Sequence, residues 1–291
     1  MITNLSIGHY GRLGNQIFQY ALLKAVSYKN NFEVLLPEEN KNIKIIGRFN
    51  PVINDYDTYK LDLYECFQIK DKTQKKQILQ ENIKFFFNEK FMHFDNDIFD
   101  VNDNTNFHGY FQCADYFYEF EERIKNDLLF NNNISNITKR IISQIKNDKQ
   151  VSNITTVHVR RGDGIQDNGK FQVLLDEKYY LKMFSKLETK DSCFLVISDD
   201  VEWCKNKFSN FKNLFFLEEY KEKVDSSNHL IDFCALSSGE SIIMANSSYS
   251  WWAAWLSNTD NIYCPNKWWG WANSHFSEEN LRHKKWNLEQ I

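Results

Sequence analysis

Two arginines follow an apolar run in the segment TTVHVRRGDG. Arg160 and Arg161 each carry a planar guanidinium group, which can donate to two oxygens of a phosphate at once. Alternation along an extended strand places His158 and Arg160 on one face and Arg161 on the other, so the two guanidinium groups are not expected to do the same job. Adjacent arginines also pair with surface carboxylates, but their position at the end of a strand favours a phosphate site.

Two acids end a second apolar run, FLVISDD. Asp199 and Asp200 could hold a metal ion, yet the pair lacks the spacer of a D-x-D motif and has no evident third ligand. Hydrogen bonding to hydroxyl or amino groups of a ligand suits these carboxylates better. For Asp200, capping of the helix that follows is an equally good explanation.

A third run, IIMANSSYSWWAAWL, passes from a strand through polar residues into a helix. Asn246, Ser247, Ser248 and Ser250 therefore lie where the free N–H groups of a helix N-terminus attract anions. Helix capping alone would explain one serine but not three in a single turn. The tryptophans that follow are expected to pack in the core rather than to stack on a ligand.

Strands and helices alternate regularly after residue 150 and must position these residues. We predict strands at Ile154–Val159, Cys193–Ser198, Leu214–Leu217, Ile242–Ala245 and Ile262–Cys264. Helices are predicted at Glu177–Leu187, Val201–Phe208 and Leu230–Leu236 and from Ser250 onwards. This alternation predicts a doubly wound parallel sheet, whose ligands bind outside the carboxyl ends of its strands.

The N-terminal part begins with a strand over Ile2–Ile7, a turn with the sequence HYGRLGN and a helix with an apolar stripe. The spacing of its glycines is not that of the G-x-G-x-x-G nucleotide fingerprint. Residues 40–105 show weak periodicity and receive no assignment. The polar stretch 131–153 keeps a helical stripe of isoleucines between solvated flanks and is the best linker candidate.

Composition limits the classes of function. A chain of 291 residues corresponds to about two domains. A net charge of −4 gives no basic field for nucleic acid, and no apolar run is long enough to span a membrane. The N-terminus does not resemble a signal peptide, and the six cysteines lack a C-x-x-C pair and lie partly in apolar runs. We therefore expect a soluble, cytoplasmic protein with free thiols.

Taken together, these motifs resemble the bacterial α-1,2-fucosyltransferases of glycosyltransferase family 11. The matching segments lie in both halves of the chain: GRLGNQIFQYALLKA, FHGYFQCADYF, VHVRRGD, DEKYY, FLVISDDVEWCK and the run from His229 through NSSYSWWAAWL. The combination of H-x-R-R-x-D with N-S-S-x-S-W-W is more specific than either motif alone.

The resemblance implies an α/β, GT-B-like fold of two Rossmann-like domains facing a cleft. Residues 1–150 would form the acceptor-side domain and residues 151–291 the GDP-fucose-binding domain. The implied reaction moves L-fucose from GDP-β-L-fucose to the 2-hydroxyl of a terminal galactoside with inversion, in surface polysaccharide or O-antigen synthesis. The acceptor would be a galactose-containing oligosaccharide or a lipid-linked glycan. Contact with the inner face of the plasma membrane stays open, and no cofactor, metal or nucleic acid is expected.

The resemblance also gives roles to single residues. Arg160 and Arg161 would neutralise the departing diphosphate in place of a metal ion, with hydrogen bonds from Ser247, Ser248 and Ser250. The remaining donor-site candidates are His158, Asp199, Asp232 and Asn246.

The group that accepts the proton of the acceptor hydroxyl is harder to assign. Asp163 is ionisable but could instead orient an arginine, and Asn15 lies in a turn similar to that of protein O-fucosyltransferases, although an amide is a poor base. Gln16, Tyr110 and Gln112 are the acceptor-side candidates.

Three alternatives stay open: another GDP-linked sugar as donor, another hydroxyl as acceptor, and a non-catalytic carbohydrate-binding module whose Trp and Tyr residues stack on sugars. The module would not explain an Arg-Arg strand end and a serine-lined helix terminus in the same half.

If the arginines replace a metal ion, sugar transfer will survive removal of divalent cations. Activity measured in EDTA should equal that in buffer with Mg²⁺ or Mn²⁺. A strict requirement for a divalent cation would instead assign Asp199 and Asp200 as metal ligands.

Overall fold

The structure is a computed structural model that describes residues 1–37, 43–50, 55–59, 61–69, 82–90, 92–221 and 229–291. It divides into two compact units. The first unit contains Met1–Asn131 and Glu279–Arg282, and the second contains Asn132–Glu278 and His283–Ile291. The predicted border between residues 150 and 151 differs from this division, because the helix that precedes it belongs to the second unit.

The strands of the first unit are β1 (Ile2–Thr3), β2 (Val34–Leu35), β3 (Ile43–Asn50), β4 (Asp55–Tyr59), β5 (Phe85–Asn88) and β6 (Thr105–His108). Four of them form a parallel sheet in the order β2-β1-β6-β5, and β3 and β4 pair as an antiparallel hairpin. The carboxyl ends of β1, β5 and β6 therefore lie at one edge of the sheet.

The helices of the first unit are α1 (Leu13–Asn30), α2 (Asp62–Cys66) and α3 (Glu121–Asp127), with short 3₁₀ helices at Asn96–Phe99, Ala114–Tyr116 and Tyr118–Phe120. The predicted apolar stripe of α1 is buried, and so are the polar side chains of Gln16 and Gln19. The helix ends at Asn31, which adopts a left-handed conformation with φ 57°.

The second unit is built on six parallel strands: β7 (Asn153–Val159), β8 (Ser192–Ser198), β9 (Leu214–Phe216), β10 (Ser241–Ile243), β11 (Ile262–Pro265) and β12 (Asn287–Glu289). Their order is β12-β11-β10-β7-β8-β9, which confirms the predicted doubly wound sheet. The chain moves outward from β7 through β8 and β9 and then returns to β10 on the other side of β7. The topological switch point therefore lies between β7 and β10.

The helices of the second unit are α4 (Asn132–Lys149), α5 (Gly162–Gln166), α6 (Glu177–Leu187), α7 (Val201–Lys207), α8 (Glu218–Lys221), α9 (His229–Leu236) and α10 (Ser248–Trp255). The tryptophans of α10 pack in the core as predicted, since Trp251, Trp252 and Trp255 are at most 3% exposed. The rings of Trp251 and Trp255 stack at 5.1 Å.

Helix α4 corrects the interpretation of residues 131–153 as a linker. Ile134, Ile141 and Ile145 are buried, and α4 packs against α9. The isoleucine stripe was recognised in the sequence, but its burial against α9 shows that the segment is part of the second unit's core.

All six cysteines are buried free thiols, as their sequence context predicted. Of the helices in the described ranges, none is long and apolar enough to cross a membrane.

Truncation of the α4 stripe will destabilise the second unit. Ile145→Ala should lower the free energy of unfolding by about 2–5 kcal/mol, because the removed atoms leave a cavity. Ile142→Ala removes the same atoms from a half-buried position and should cost distinctly less. Denaturant titration of both variants measures the difference, and equal losses would contradict the packing of α4.

Candidate functional site

The ends of β7 and β8 bring the two arginines beside the two aspartates. The strands pair in register through His158 with Ile197 and Val159 with Ser198. The next residues along each strand therefore meet: Nη1 of Arg160 donates to Oδ2 of Asp199, and the backbone N–H of Arg161 donates to Oδ1 of Asp199 at 2.8 Å. Both carboxylate oxygens of Asp199 thus accept hydrogen bonds from the two arginines and hold the chain where it leaves β7.

Asp200 and Trp203 hold the side chain of Arg161. Its Nε donates to Oδ2 of Asp200 at 3.1 Å, and its Cζ lies 3.9 Å from the centroid of the Trp203 ring. Asp200 also caps α7, accepting the N–H of Trp203 at 3.2 Å. Helix capping by Asp200 and carboxylate pairing by the arginines, both considered as alternatives from the sequence, therefore occur together.

These ion pairs remain open to an incoming anion. The side chains of Arg160 and Arg161 are 25% and 15% exposed, and those of Asp199 and Asp200 are 29% and 31% exposed. Ion pairs that reach solvent contribute only about 0–1 kcal/mol each. A ligand with two phosphate groups could therefore compete with the carboxylates for the guanidinium groups.

His158 lies at the switch point with an unused polar atom. Its side chain is buried, its ring centroid lies 5.4 Å from that of Tyr249, and its Nδ1 has no hydrogen-bond partner. Burial, with a smaller contribution from the Arg160 charge, lowers the pKa of His158 to about 4, although Asp199 acts in the opposite direction. The imidazole is therefore neutral near pH 7.

The four polar residues before and in α10 divide into two pairs. Ser247 caps the helix by accepting the N–H of Tyr249 at 3.3 Å, and Ser248 beside it is half-buried. Asn246 instead donates to two backbone carbonyls at 3.0 Å, and the buried hydroxyl of Ser250 accepts the N–H of Ala245 at 3.2 Å. Ser247 and Ser248 thus present hydroxyl groups at the helix start, whereas the other two residues hold the loop.

The two remaining site residues predicted in the second unit are Asp232 and Asp163. Asp232 is on α9, where its carboxylate pairs with Lys221 at 2.7 Å and burial raises its pKa against the effect of that lysine. Asp163 lies in α5, but its side chain is outside the described part of the structure.

In the first unit, the predicted residues Asn15 and Gln112 are directly connected. Nε2 of Gln112 donates to Oδ1 of Asn15 at 2.9 Å, and Nδ2 of Asn15 donates to the carbonyl of Tyr10 at 2.7 Å. Tyr110 is half-buried, with its ring 5.3 Å from that of Tyr10. Gln16 is fully buried, and its Oε1 accepts the N–H of Leu63 at the start of α2.

Glu89 is a candidate that the sequence analysis missed. Its carboxylate accepts the N–H groups of Tyr110 at 2.6 Å and Phe111 at 2.9 Å. Burial raises the pKa of Glu89 to about 7, although both hydrogen bonds act to lower it. In the sequence, Glu89 directly follows the aromatic run FFFN, as Asp199 directly follows the apolar run FLVIS. This position of an acid at a strand end could have identified Glu89.

The family profile described as Glycosyl transferase family 11 matches residues 2–290. The chain belongs to this family. This confirms the resemblance drawn from the motifs, and with it the expectation that the protein is a glycosyltransferase.

Curated relatives of this family 11 glycosyltransferase include two from Escherichia coli. An α-1,2-colitosyltransferase is 29% identical, with 86% of each chain covered. The O-antigen biosynthesis glycosyltransferase WbnK is 28% identical over 89% of this chain and 92% of its own length. Galactoside α-(1,2)-fucosyltransferase 1 of Rattus norvegicus is 23% identical over 88% of this chain and 64% of its own length.

Solved structures establish the fold class. Fucosyltransferase NodZ from Bradyrhizobium superposes with a TM-score of 0.50 at 13% identity, covering 88% of this chain and 92% of its own. POFUT1 in complex with GDP-fucose gives a TM-score of 0.52 at 12% identity, covering 90% and 96%. The predicted α/β, GT-B-like fold is therefore confirmed.

The capping role of Asp200 can be separated from its ion pair. Asp200→Ala should lower the free energy of unfolding by about 1 kcal/mol, because α7 loses its cap. Asp200→Asn removes the charge that faces Arg161 but keeps an equally good cap, so its loss should stay below about 0.5 kcal/mol. Denaturant titration measures the free energy of unfolding of both variants. Equal losses in the two variants would mean that the cap contributes little to stability.

Proposed function

We propose that this glycosyltransferase moves L-fucose from GDP-β-L-fucose to the 2-hydroxyl of a terminal galactoside, with inversion to an α-linkage, in the synthesis of O-antigen or another surface polysaccharide. The names of its relatives support both parts of this proposal, since they include α-1,2-fucosyltransferases and an O-antigen enzyme. Synthesis would take place on the cytoplasmic side of the membrane, where a lipid-linked glycan is one acceptor class.

One observation carries the proposal: Arg160 and Arg161 leave β7 beside the switch point at which α10 begins. Backbone N–H groups at the start of α10 attract negative charge, and two guanidinium groups supply charge-assisted donors nearby. This combination suits a diphosphate, and it can stabilise the negative charge that develops on GDP as the bond to the sugar breaks.

The arginines would stabilise this negative charge without a metal ion. Binding of the diphosphate exchanges the carboxylate partners of Arg160 and Arg161 for phosphate oxygens, and the hydroxyl groups of Ser247 and Ser248 add hydrogen bonds. The free Nδ1 of His158 offers one further donor or acceptor to the nucleotide. Asp199, once released by Arg160, would accept hydrogen bonds from ribose or guanine. Asn246, Ser250 and Asp232 would then act indirectly, by holding the loop and α9 in place.

The first unit would bind the acceptor. Gln112 is buried and donates to Asn15. Asn15 and the rings of Tyr10 and Tyr110 are half-buried, so they would offer an amide group and two aromatic rings to a sugar. Gln16 is buried and accepts the N–H of Leu63, so it would act by holding α1 against α2 and not by touching the acceptor.

A second candidate is transfer of another GDP-linked deoxysugar. The relative with 29% identity is a colitosyltransferase. Colitose is L-fucose without its 3-hydroxyl group, so both donors would present the same diphosphate to the arginines. Comparison of kcat/KM for the two donors distinguishes the candidates.

Isothermal titration calorimetry in EDTA tests the nucleotide site. The wild type should bind GDP and GDP-fucose but not ADP or UDP. In a separate assay of sugar transfer, Arg160→Ala and Arg161→Ala should each lower the rate by at least about 1000-fold, as expected for an arginine at a transferring phosphate. Thermal melting should show that both variants stay folded.

Arg140→Ala is the matched control, because it removes an exposed arginine from α4 of the same unit. It should keep wild-type binding and turnover. Retained turnover in the Arg160 and Arg161 variants would contradict the diphosphate role. Absence of any guanine-nucleotide binding would contradict the proposed donor.

A further inference from the structure

The carboxyl edge of the first unit's sheet carries a polar cluster around Glu89. Strands β5 and β6 pair through Asn88 and His108, and the N–H of Glu89 donates to the carbonyl of His108 at 2.9 Å. The hydroxyl of Tyr10 lies 2.5 Å from Nε2 of His108. Ligands of open parallel sheets bind outside such strand ends. Glu89 itself is half-buried there.

The loop after β6 is built around the Glu89 carboxylate. A Cβ atom at Gly109 would lie 2.4 Å from Cβ of Glu89 and 2.7 Å from its Oε2, so only glycine fits there. Phe111 adopts a φ of 57°, which is unusual for a bulky residue, while its ring is fully buried. Strained backbone of this kind persists only where its surroundings enforce it, and it concentrates at functional sites.

Hydrogen bonds connect this loop to the glycine-containing turn after β1. Gln112, directly after Phe111, donates to Asn15 at 2.9 Å. Gln19 donates to the carbonyl of Gly109 at 2.8 Å and accepts the N–H of Gly8 at 3.1 Å. These hydrogen bonds hold the Glu89 loop in a fixed position relative to Asn15, the acceptor-side turn residue that the family resemblance singled out.

We propose that Glu89 is the general base of the transfer reaction and takes the proton of the acceptor hydroxyl. This inference rests on the proposed function. The acceptor oxygen forms a bond to C1 of the fucosyl group while the bond from C1 to the diphosphate oxygen breaks. The leaving GDP keeps that electron pair, the hydroxyl proton passes to the Glu89 carboxylate, and water receives it afterwards.

The surroundings of Glu89 agree with this role. Burial raises its pKa to about 7, near the value that suits a general base at neutral pH. The titratable groups around it are Tyr10 in the turn after β1, His108 at the end of β6, and Tyr110, Cys113 and Tyr116 in the segment that follows. No cation pairs with Glu89 among the residues that the structure describes. Within the described ranges, neither an arginine nor a lysine holds the carboxylate in a purely structural ion pair.

The pH dependence of transfer tests the role of Glu89. The base must be ionised, so kcat/KM of the wild type should fall tenfold per pH unit as the pH drops below about 7. Glu89→Gln should lower kcat by about 100-fold to 10,000-fold and remove this acidic limb, because no base is left to protonate. Glu89→Asp keeps a carboxylate and should retain partial activity with an acidic limb at a shifted pH.

Two controls separate this proposal from the donor assignment and from misfolding. Glu119→Gln makes the same change at a side chain 64% exposed in the same unit and should leave turnover unchanged. Calorimetry should give the same Kd for GDP, within about twofold, in the wild type and both Glu89 variants. Loss of GDP binding in the wild type would count against the proposed function, not against Glu89 alone.

Three results would overturn the assignment of Glu89. They are a Glu89→Gln variant with more than about a tenth of wild-type kcat, an acidic limb that persists in that variant, and a loss confined to the KM for the acceptor. The last result would make Glu89 a positioning residue of the loop. If Glu89→Gln melts well below the wild type, the Glu89→Asp profile decides: an unshifted acidic limb would also overturn the proposal.

Discussion

The parallel pairing of β7 with β8 is the constraint on which the candidate site of the second unit depends. A continuous register from Asn153 with Ser192 to Val159 with Ser198 leaves no freedom in where the two strands end. Two arginines therefore meet two aspartates, although the partners are 39 residues apart in the chain. A shift of one residue would turn the side chains to the opposite faces and separate them.

This arrangement places two arginines at one strand end of a chain whose net charge is −4. The guanidinium groups are matched by carboxylates, so the site carries no large excess of positive charge before a ligand binds. The aspartates also orient the arginine side chains, since Asp199 accepts from Nη1 of Arg160 and Asp200 accepts from Nε of Arg161.

In the first unit, hydrogen bonds satisfy polar side chains that the fold buries. Its helix α1 buries Gln16 and Gln19, which are costly to bury unless they find hydrogen-bond partners. Gln19 bonds with Gly8 in the turn after β1 and with Gly109 in the loop after β6. The carboxylate of Glu89 accepts two backbone N–H groups of the same loop after β6. The hydrogen bonds that stabilise the turn after β1 and the loop after β6 thus also position amide, carboxylate and aromatic groups at the carboxyl edge of the sheet.

The sequence by itself determined strands β7 to β11 and helices α6, α7, α9 and α10 of the second unit, the doubly wound sheet, the packing of the α10 tryptophans and the family. These features depend on periodicity and on short motifs, which are local in the chain. Only the tertiary structure decided that α4 packs with α9, that Ser250 faces the core while Ser247 caps α10, that Asp232 pairs with Lys221, and that Glu89 lies under the loop after β6. The direction and burial of a side chain depend on partners that are distant in sequence, such as Glu89 and Tyr110, which are 21 positions apart, and no local pattern encodes them.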